Sequence, residues 1–338
     1  MRFVVVGAGA VGGVIAGRLA GAGFDVTLVA RGANLEAIRN DGLRVRSPST
    51  SEVYRLPVAA TPGEVDWRPG DVVLLAVKSM DTAGVLSAIA AHADPGTPIA
   101  CVQNGVANEH AALRMFRNVY GVCVMLPATH LVPGVVVANC APTPGILDVG
   151  RYPSGSFLGS DSLLGSDSLL GSDRTAAELA AAFRAAGFHS EPRRDIMRWK
   201  YRKLLANTGN AVEAVCGRVD GIDEITRVVR AEGSSVLTAA GIPYASEEED
   251  RERRGDILVM RPVEGEPRRG GSSWQSLARG TGSIEADYLN GEIVLLGRAH
   301  GVPVPANELA QRLANQFAQE GRAPGSLPVD EFRALMPA

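Results

Sequence analysis

The chain has 338 residues, a formal net charge of −3, 46% hydrophobic and 21% charged residues. That length suggests about two domains with a core of ordinary size, and the charge gives no electrostatic basis for binding nucleic acid or an anionic membrane surface. The four cysteines, Cys101, Cys123, Cys140 and Cys216, form no CxxC pair and no metal-ligand spacing, so reduced thiols and no metal site are expected.

The apolar start, "MRFVVVGAGAVGGVIAGRLAGAG", has the look of a signal peptide, but glycines at strand-to-helix spacing interrupt it. No other stretch approaches the ~20 unbroken apolar residues of a membrane span. A cytoplasmic protein without a membrane partner is expected.

"RFVVVG" reads as a buried strand followed by a helix from about Val11 to Ala22. Gly7, Gly9 and Gly12 fall between them in GxGxxG order, with Ala8, Ala10 and Val11 interleaved. Such glycines give a tight turn, close backbone approach to a pyrophosphate and tight helix–strand packing. The second strand, "FDVTLVA", ends at Arg31 where an NAD-binding chain usually carries an acid; a guanidinium there suits a 2′-phosphate, so NADP (as NADPH) is the expected cofactor. A third strand, "DVVLLAV", ends at Lys78. A fourth, "TPIACVQ", ends at Gln103, Asn104 and Gly105. Continuous apolar strands alternating with helices such as "DTAGVLSAIAAHA" indicate a doubly wound parallel sheet, and such sheets bind ligands at the carboxyl ends of their strands. Lys78, Gln103 and Asn104 would therefore share a crevice with the glycine loop.

Residues 158–173 repeat a six-residue unit rich in Gly, Ser and Asp, read as a loop insertion without chemistry. The helix "TAAELAAAFRAAG" follows, and "FHSEPRRD" reads as a last short strand, placing a domain boundary at 193/194. A dinucleotide-binding domain over 1–193 and a helical substrate domain over 194–338 are expected.

In the second half, the helix containing "KYRKLLANTGN" carries Trp199, Lys203, Asn207 and Asn210 along one flank of its apolar face. Asparagine is a poor helix former, so two of them on that flank ask for a reason. A ketone reductase needs a proton donor beside the oxygen that gains charge, and a partly desolvated lysine flanked by asparagines would serve. The run "SEEEDRERRGD", 246–256, reads as a mixed-charge surface helix without function. Further on, Ser272 and Ser273 lie in a glycine-rich stretch, and Glu285 just inside a helix that Gly301 and its following prolines close.

Taken together, "GAGAVG", Lys78, "QNG", "WKYRKLLAN" and "SIEADYLNGEIV…AHGVPVPAN" resemble the ketopantoate reductase (2-dehydropantoate 2-reductase) family over nearly the whole chain. The resemblance implies a Rossmann-type doubly wound domain followed by an all-α domain, with the site between them. It implies Lys203 as general acid and Glu285 as the group orienting substrate or lysine and bordering the cofactor. Asn104, Asn207 and Ser273, joined by Asn210, would bind a small 2-oxo acid. Gly7 to Gly12, Arg31, Lys78, Gln103 and Asn104 would meet NADPH. Two departures stand out: Ala211 occupies the place of the family's common second asparagine, with Asn210 one position early, and Trp274 lies beside Ser273. Two rival readings remain: the same reductase acting on another 2-oxo acid or ketone, and a non-catalytic NADP-binding regulator. The sequence leaves oligomeric state open, with a homodimer as the candidate assembly.

Overall fold

A computed structural model describes residues 1–154 and 174–336; the tandem repeat at 158–173 lies outside the described residues. The chain forms two compact units. The first comprises Met1–Gln103, Asn108–Lys200 and Arg251–Pro267; the second comprises Asn104–Ala107, Tyr201–Asp250 and the chain from Arg268 onward.

The first unit opens with β1 (Arg2–Val6), α1 (Ala10–Gly21), β2 (Val26–Val29), α2 (Gly32–Asp41), β3 (Leu43–Arg46), β4 (Ser51–Tyr54) and β5 (Val58–Ala59). It continues through β6 (Asp71–Leu75), α3 (Thr82–Ala90), β7 (Ile99–Cys101), α4 (Asn108–Leu113) and β8 (Val119–Met125). Then come β9 (Ala128–Val132), β10 (Val135–Ala138), β11 (Ile146–Tyr152) and α5 (Arg174–Ala185). Seven strands make one sheet in the order β11-β8-β7-β6-β1-β2-β5, parallel except where β11 runs against β8. Alternate residues of its strands feed opposite faces. Phe3, Val5, Val72 and Leu74 enter one apolar core, and Val4, Val6, Val73 and Leu75 enter the other. This two-sided burial explains the unbroken apolar runs of the sequence. The strand order reverses at β1, whose neighbours are β2 and β6, and β1 is the strand that leads into the glycine loop.

A second sheet, β4-β3-β10-β9, was not anticipated. Its strands are short and only half covered, so their alternation is brief: in β3, Leu43 and Val45 are buried and Arg44 is exposed. The glycines inside α1 belong to this layer. A Cβ at Gly13 would stand 2.7 Å from Val136, and one at Gly17 2.4 Å from Val45; any side chain there would push α1 off the sheet. The segment expected as a last strand, 188–195, makes two isolated bridges to β11, His189 with Ile146 and Pro192 with Val149. Pro192 has no N–H with which to extend a ladder.

α6 (Ile196–Asn207) contributes to both units, since the division falls between Lys200 and Tyr201 rather than at the expected 193/194. The second unit is helical: α7 (Gly209–Cys216), α8 (Ile222–Ala239), the start of α9 (Glu247–Arg254), α10 (Ser272–Ala278), α11 (Asn290–His300), α12 (Pro305–Glu320) and α13 (Val329–Ala334). Leu309, Leu313 and Phe317 of α12, four residues apart, line its core with Val212 and Val215 of α7. Gly301 ends α11 at φ +68°, and Pro305 begins α12, as the stop signal required.

The charged run 246–256 is not merely a surface helix. Arg253, 9% exposed at its side chain, donates to both oxygens of the buried Asp148 on β11, at 2.8 and 2.6 Å. A bidentate pair satisfies two buried charges at once, which fixes residues 251–267 to the first unit.

Candidate functional site

The glycine loop joins β1 to α1 in the first unit. Gly7 takes φ +107°, and a Cβ there would come within 2.8 Å of the Ala76 backbone; a Cβ at Gly12 would stand 2.0 Å from the Gly7 carbonyl oxygen. Both positions therefore exclude a side chain. Gly9, the N-cap residue of α1, has no side-chain cap, and a Cβ on it would meet nothing within 4 Å. The loop is packed tightly from beneath and open above, beside first-turn N–H groups that have no partner within the helix. That cradle fits a dinucleotide pyrophosphate. Ala8 is buried and its carbonyl accepts from Asn34 Nδ2 at 2.8 Å, while Asn34 Oδ1 accepts the Gly134 N–H at 2.7 Å. Asn34 thus braces the loop, a role with no signal beyond its position near the start of α2. Ala10 and Val11, half-buried, begin α1.

Arg31 caps α2 directly after β2, with its side chain 80% exposed and paired to Asp81 at 3.0 Å. Lys78, half-buried, follows β6 and leads into a short 3₁₀ turn over Ser79–Asp81. Gln103 is buried, and its side-chain amide donates to the Val77 carbonyl at 2.9 Å and the Thr82 hydroxyl at 2.8 Å. Thr82 donates to Asn108, and Asn108 to Ser79. Gln103 thereby ties the end of β7 to the end of β6, while its buried Oε1 has no hydrogen-bond partner among the described residues.

Lys200 and Glu109 were not singled out from the sequence. Lys200 Nζ donates to Glu109 and, at 3.1 Å, to the Gln103 carbonyl; both side chains are almost completely buried. The signal was available, because Lys200 occupies the apolar spacing Ile196–Lys200–Leu204, where a lysine must be paired. Glu109 makes itself felt on its neighbours. Burial, reinforced by the Glu109 charge, pushes the Cys101 thiol well up and raises the Tyr152 hydroxyl.

The residues expected to bind and protonate substrate all belong to the second unit. Asn207, at the end of α6 and 5% exposed, donates from Nδ2 to Asn104 Oδ1 at 3.1 Å. Lys203 lies one turn earlier on α6, half-buried. Gly105 takes φ +79°, and a Cβ on it would stand 3.0 Å from the Tyr288 carbonyl oxygen, so the 104–107 segment runs against the 3₁₀ turn Glu285–Tyr288. Glu285 is therefore in that turn, whereas the sequence places it just inside the long helix: Leu289, at φ −114° and ψ −82°, separates it from α11. Glu285 is 7% exposed. Arg279, at the end of α10, was also missed; burial lowers its guanidinium pKa and the Glu285 charge opposes that fall.

The helix expected to run unbroken through Asn210 is interrupted at Thr208. This residue keeps helical dihedrals, φ −60° and ψ −28°, but its carbonyl accepts from Asn290 Nδ2 at 2.9 Å, an inserted amide of the kind that divides helices. Asn290 also donates to Asn307, and Glu232 accepts from the Ala306 and Asn307 backbone N–H groups at the head of α12. The asparagines of "DYLNGE" and "VPAN" thus hold three helices together.

Asn210 consequently belongs to α7 and stands beside α10, with its Oδ1 3.7 Å from where a Gly271 Cβ would lie. The Gly271 N–H donates to Glu213 at 2.9 Å. Ser273, 2% exposed, sits in the first turn of α10, where a loop was expected. "SSWQSLA" is too short to be a helix on its own and is held against α7 by packing. The second unit thus brings Asn207 to Asn104 beside the Glu285 turn, and Asn210 to the head of α10.

Among the described residues, no helix is long and apolar enough to cross a membrane, and no group of three or more His, Cys, Asp or Glu could hold a metal ion. The four cysteines are free and buried.

The profile described as ketopantoate reductase PanE/ApbA matches residues 3–154, and its C-terminal counterpart matches 195–318. The chain is 30% identical over 335 residues to a 2-dehydropantoate 2-reductase of Halobacterium salinarum, covering 95% of this chain and 100% of that one. A crystal structure of a PanE/ApbA family ketopantoate reductase from Ralstonia eutropha superposes with a TM-score of 0.75 at 29% identity, covering 95% and 100% of the two chains. D-mandelate dehydrogenase, solved with NADH and anilino(oxo)acetate, shares the fold at a TM-score of 0.77 and 20% identity, covering 96% and 100%.

Proposed function

The chain belongs to the ketopantoate reductase family, oxidoreductases acting on CH–OH donors with a nicotinamide cofactor, and from that premise we propose that it reduces 2-dehydropantoate to pantoate with NADPH. The observation that carries the reading is the Asn207–Asn104 hydrogen bond, one helical turn from Lys203 and beside the turn bearing Glu285. Two side-chain amides, an ammonium and a carboxylate gathered in one helical unit are what a hydroxylated 2-oxo acid requires.

When bound, the nicotinamide supplies hydride to the C2 carbonyl carbon. Lys203 donates a proton to the carbonyl oxygen as its charge grows, leaving the 2-hydroxy acid. Asn104, Asn207 and Ser273 orient the substrate, and Glu285 orients the lysine. Gly7 to Gly12 would hold the pyrophosphate, with Lys78 of the same unit alongside. Arg31 would receive the 2′-phosphate; its exposed pairing with Asp81 is worth less than ~1 kcal/mol and opens at small cost. Because Lys203 must start protonated, turnover falls at alkaline pH.

A second reading, another 2-oxo acid as substrate, is favoured by Ala211, which is buried where the family commonly has a second asparagine, and by Trp274 beside Ser273. Steady-state oxidation of NADPH and of NADH with 2-dehydropantoate and a panel of 2-oxo acids separates the readings. We expect saturable turnover of 2-dehydropantoate. A charge-assisted bond to the 2′-phosphate should favour NADPH over NADH at least ~10-fold. Preference for another acid establishes the second reading, and NADPH binding without turnover on any acid makes the chain a nucleotide-binding regulator.

A further inference from the structure

We propose that Lys200 and Glu109 are positioning residues for Asn104, acting through the Gln103 carbonyl. Three observations carry this. Gln103 is held at both ends: its side chain by Val77 and Thr82, its carbonyl by Lys200 Nζ at 3.1 Å. The next residue is Asn104, whose Oδ1 accepts from Asn207, and then Gly105 at φ +79°. The chain thus leaves β7 from a fixed peptide directly into the asparagine contact. The slot for the pair is also built: Gly121 on β8 leaves room where a Cβ would stand 3.3 Å from Glu109 Oε1 and 3.3 Å from Lys200 Cδ.

A stabilising role alone does not explain the arrangement, since a buried ion pair adds little over well-packed apolar side chains of the same volume. What apolar side chains could not supply is a donor to the Gln103 carbonyl. Lys200 supplies it, and Glu109 sets an opposite charge against the buried ammonium, which would otherwise stand uncompensated. The second Glu109 oxygen, buried and without a hydrogen-bond partner among the described residues, shows that the carboxylate is aimed at Lys200 and not at a network of its own. Neither residue is placed against substrate or cofactor; they act on Asn104 through the backbone.

The test uses the full-length chain with Lys200→Met alone and with Lys200→Met combined with Glu109→Leu. The single variant strands the Glu109 charge and is expected to be unstable. The double variant removes both charges and should melt near the wild type. Two readouts follow on the double variant. The first is the Asn207 side-chain amide resonance without ligand, expected to shift to the position of an amide no longer bonded to Asn104. The second is kinetic and rests on the reductase reading above: KM for the 2-oxo acid should rise at least ~10-fold, the factor that loss of one well-placed hydrogen bond gives. A double variant with wild-type melting and an unmoved Asn207 resonance overturns the proposal. Because that readout needs no substrate, its result stands whether or not the wild-type chain turns over 2-dehydropantoate.

Discussion

Lys200 and Lys203 stand three residues apart on α6, yet they belong to different regions with different demands. Lys200 is enclosed in the first unit, paired with Glu109 and bonded to a backbone carbonyl. Lys203 is half-buried in the second unit, one turn before the asparagine that reaches Asn104. An enclosed ammonium with a fixed partner holds structure and has no route for its proton. A partly exposed one keeps the hydration that the general acid proposed at Lys203 needs to be recharged. Burial, not residue type, separates the two lysines.

The contrast breaks most visibly on the Lys200 side. Lys200→Met leaves Glu109 as an uncompensated buried charge and should cost ~3–5 kcal/mol of stability, read from the urea midpoint. Lys203→Ala should do the opposite. Its melting stays close to the wild type and NADPH still binds, but turnover drops at least ~10²-fold, as loss of an acid catalyst predicts. Wild-type turnover in that variant removes Lys203 from the mechanism. Asn290→Ala sharpens the comparison within the second unit by removing the donor to the Thr208 and Asn307 oxygens. A loss of ~1–3 kcal/mol is expected, and an unchanged midpoint would mean that the break at Thr208 does not need the amide.

Glu292 gives the smallest effect. It lies in the first turn of α11, and burial alone pushes its carboxyl up from the ordinary 4.5, without the ammonium that Glu109 enjoys. The folded chain therefore holds this proton more tightly than the unfolded chain. The stability it carries is fully present below the ordinary carboxylate value and is lost as pH rises through the raised one. Glu292→Gln should melt higher than the wild type at neutral pH and flatten that slope. An identical pH–melting profile would refute the shift.

Much of the first unit was legible because its signals are local. Strands buried on both faces must be continuously apolar, and the glycine loop follows the strand at which the order reverses. The small second sheet was not legible, since four-residue strands such as β3 alternate too briefly to distinguish from loop. In the second unit the stripe of Lys203 and Asn207 was visible from helical spacing. The helix break at Thr208 was not, because it depends on an amide 82 positions later in the chain. In the sequence Arg253 reads as a surface charge for the same reason, its partner Asp148 lying 105 positions away.

The sequence by itself determined the kinds of residue available and their local order: a glycine turn between strand and helix, a lysine and an asparagine one helical turn apart, a stop at Gly301. Those follow from backbone sterics and helical period, which act over a few residues. Tertiary structure decided which charges are enclosed and which polar groups meet: Lys200 with Glu109, Arg253 with Asp148, Asn207 with Asn104, Asn290 with Thr208. Desolvation and hydrogen-bond satisfaction depend on everything packed around a group, and no short window of sequence contains that.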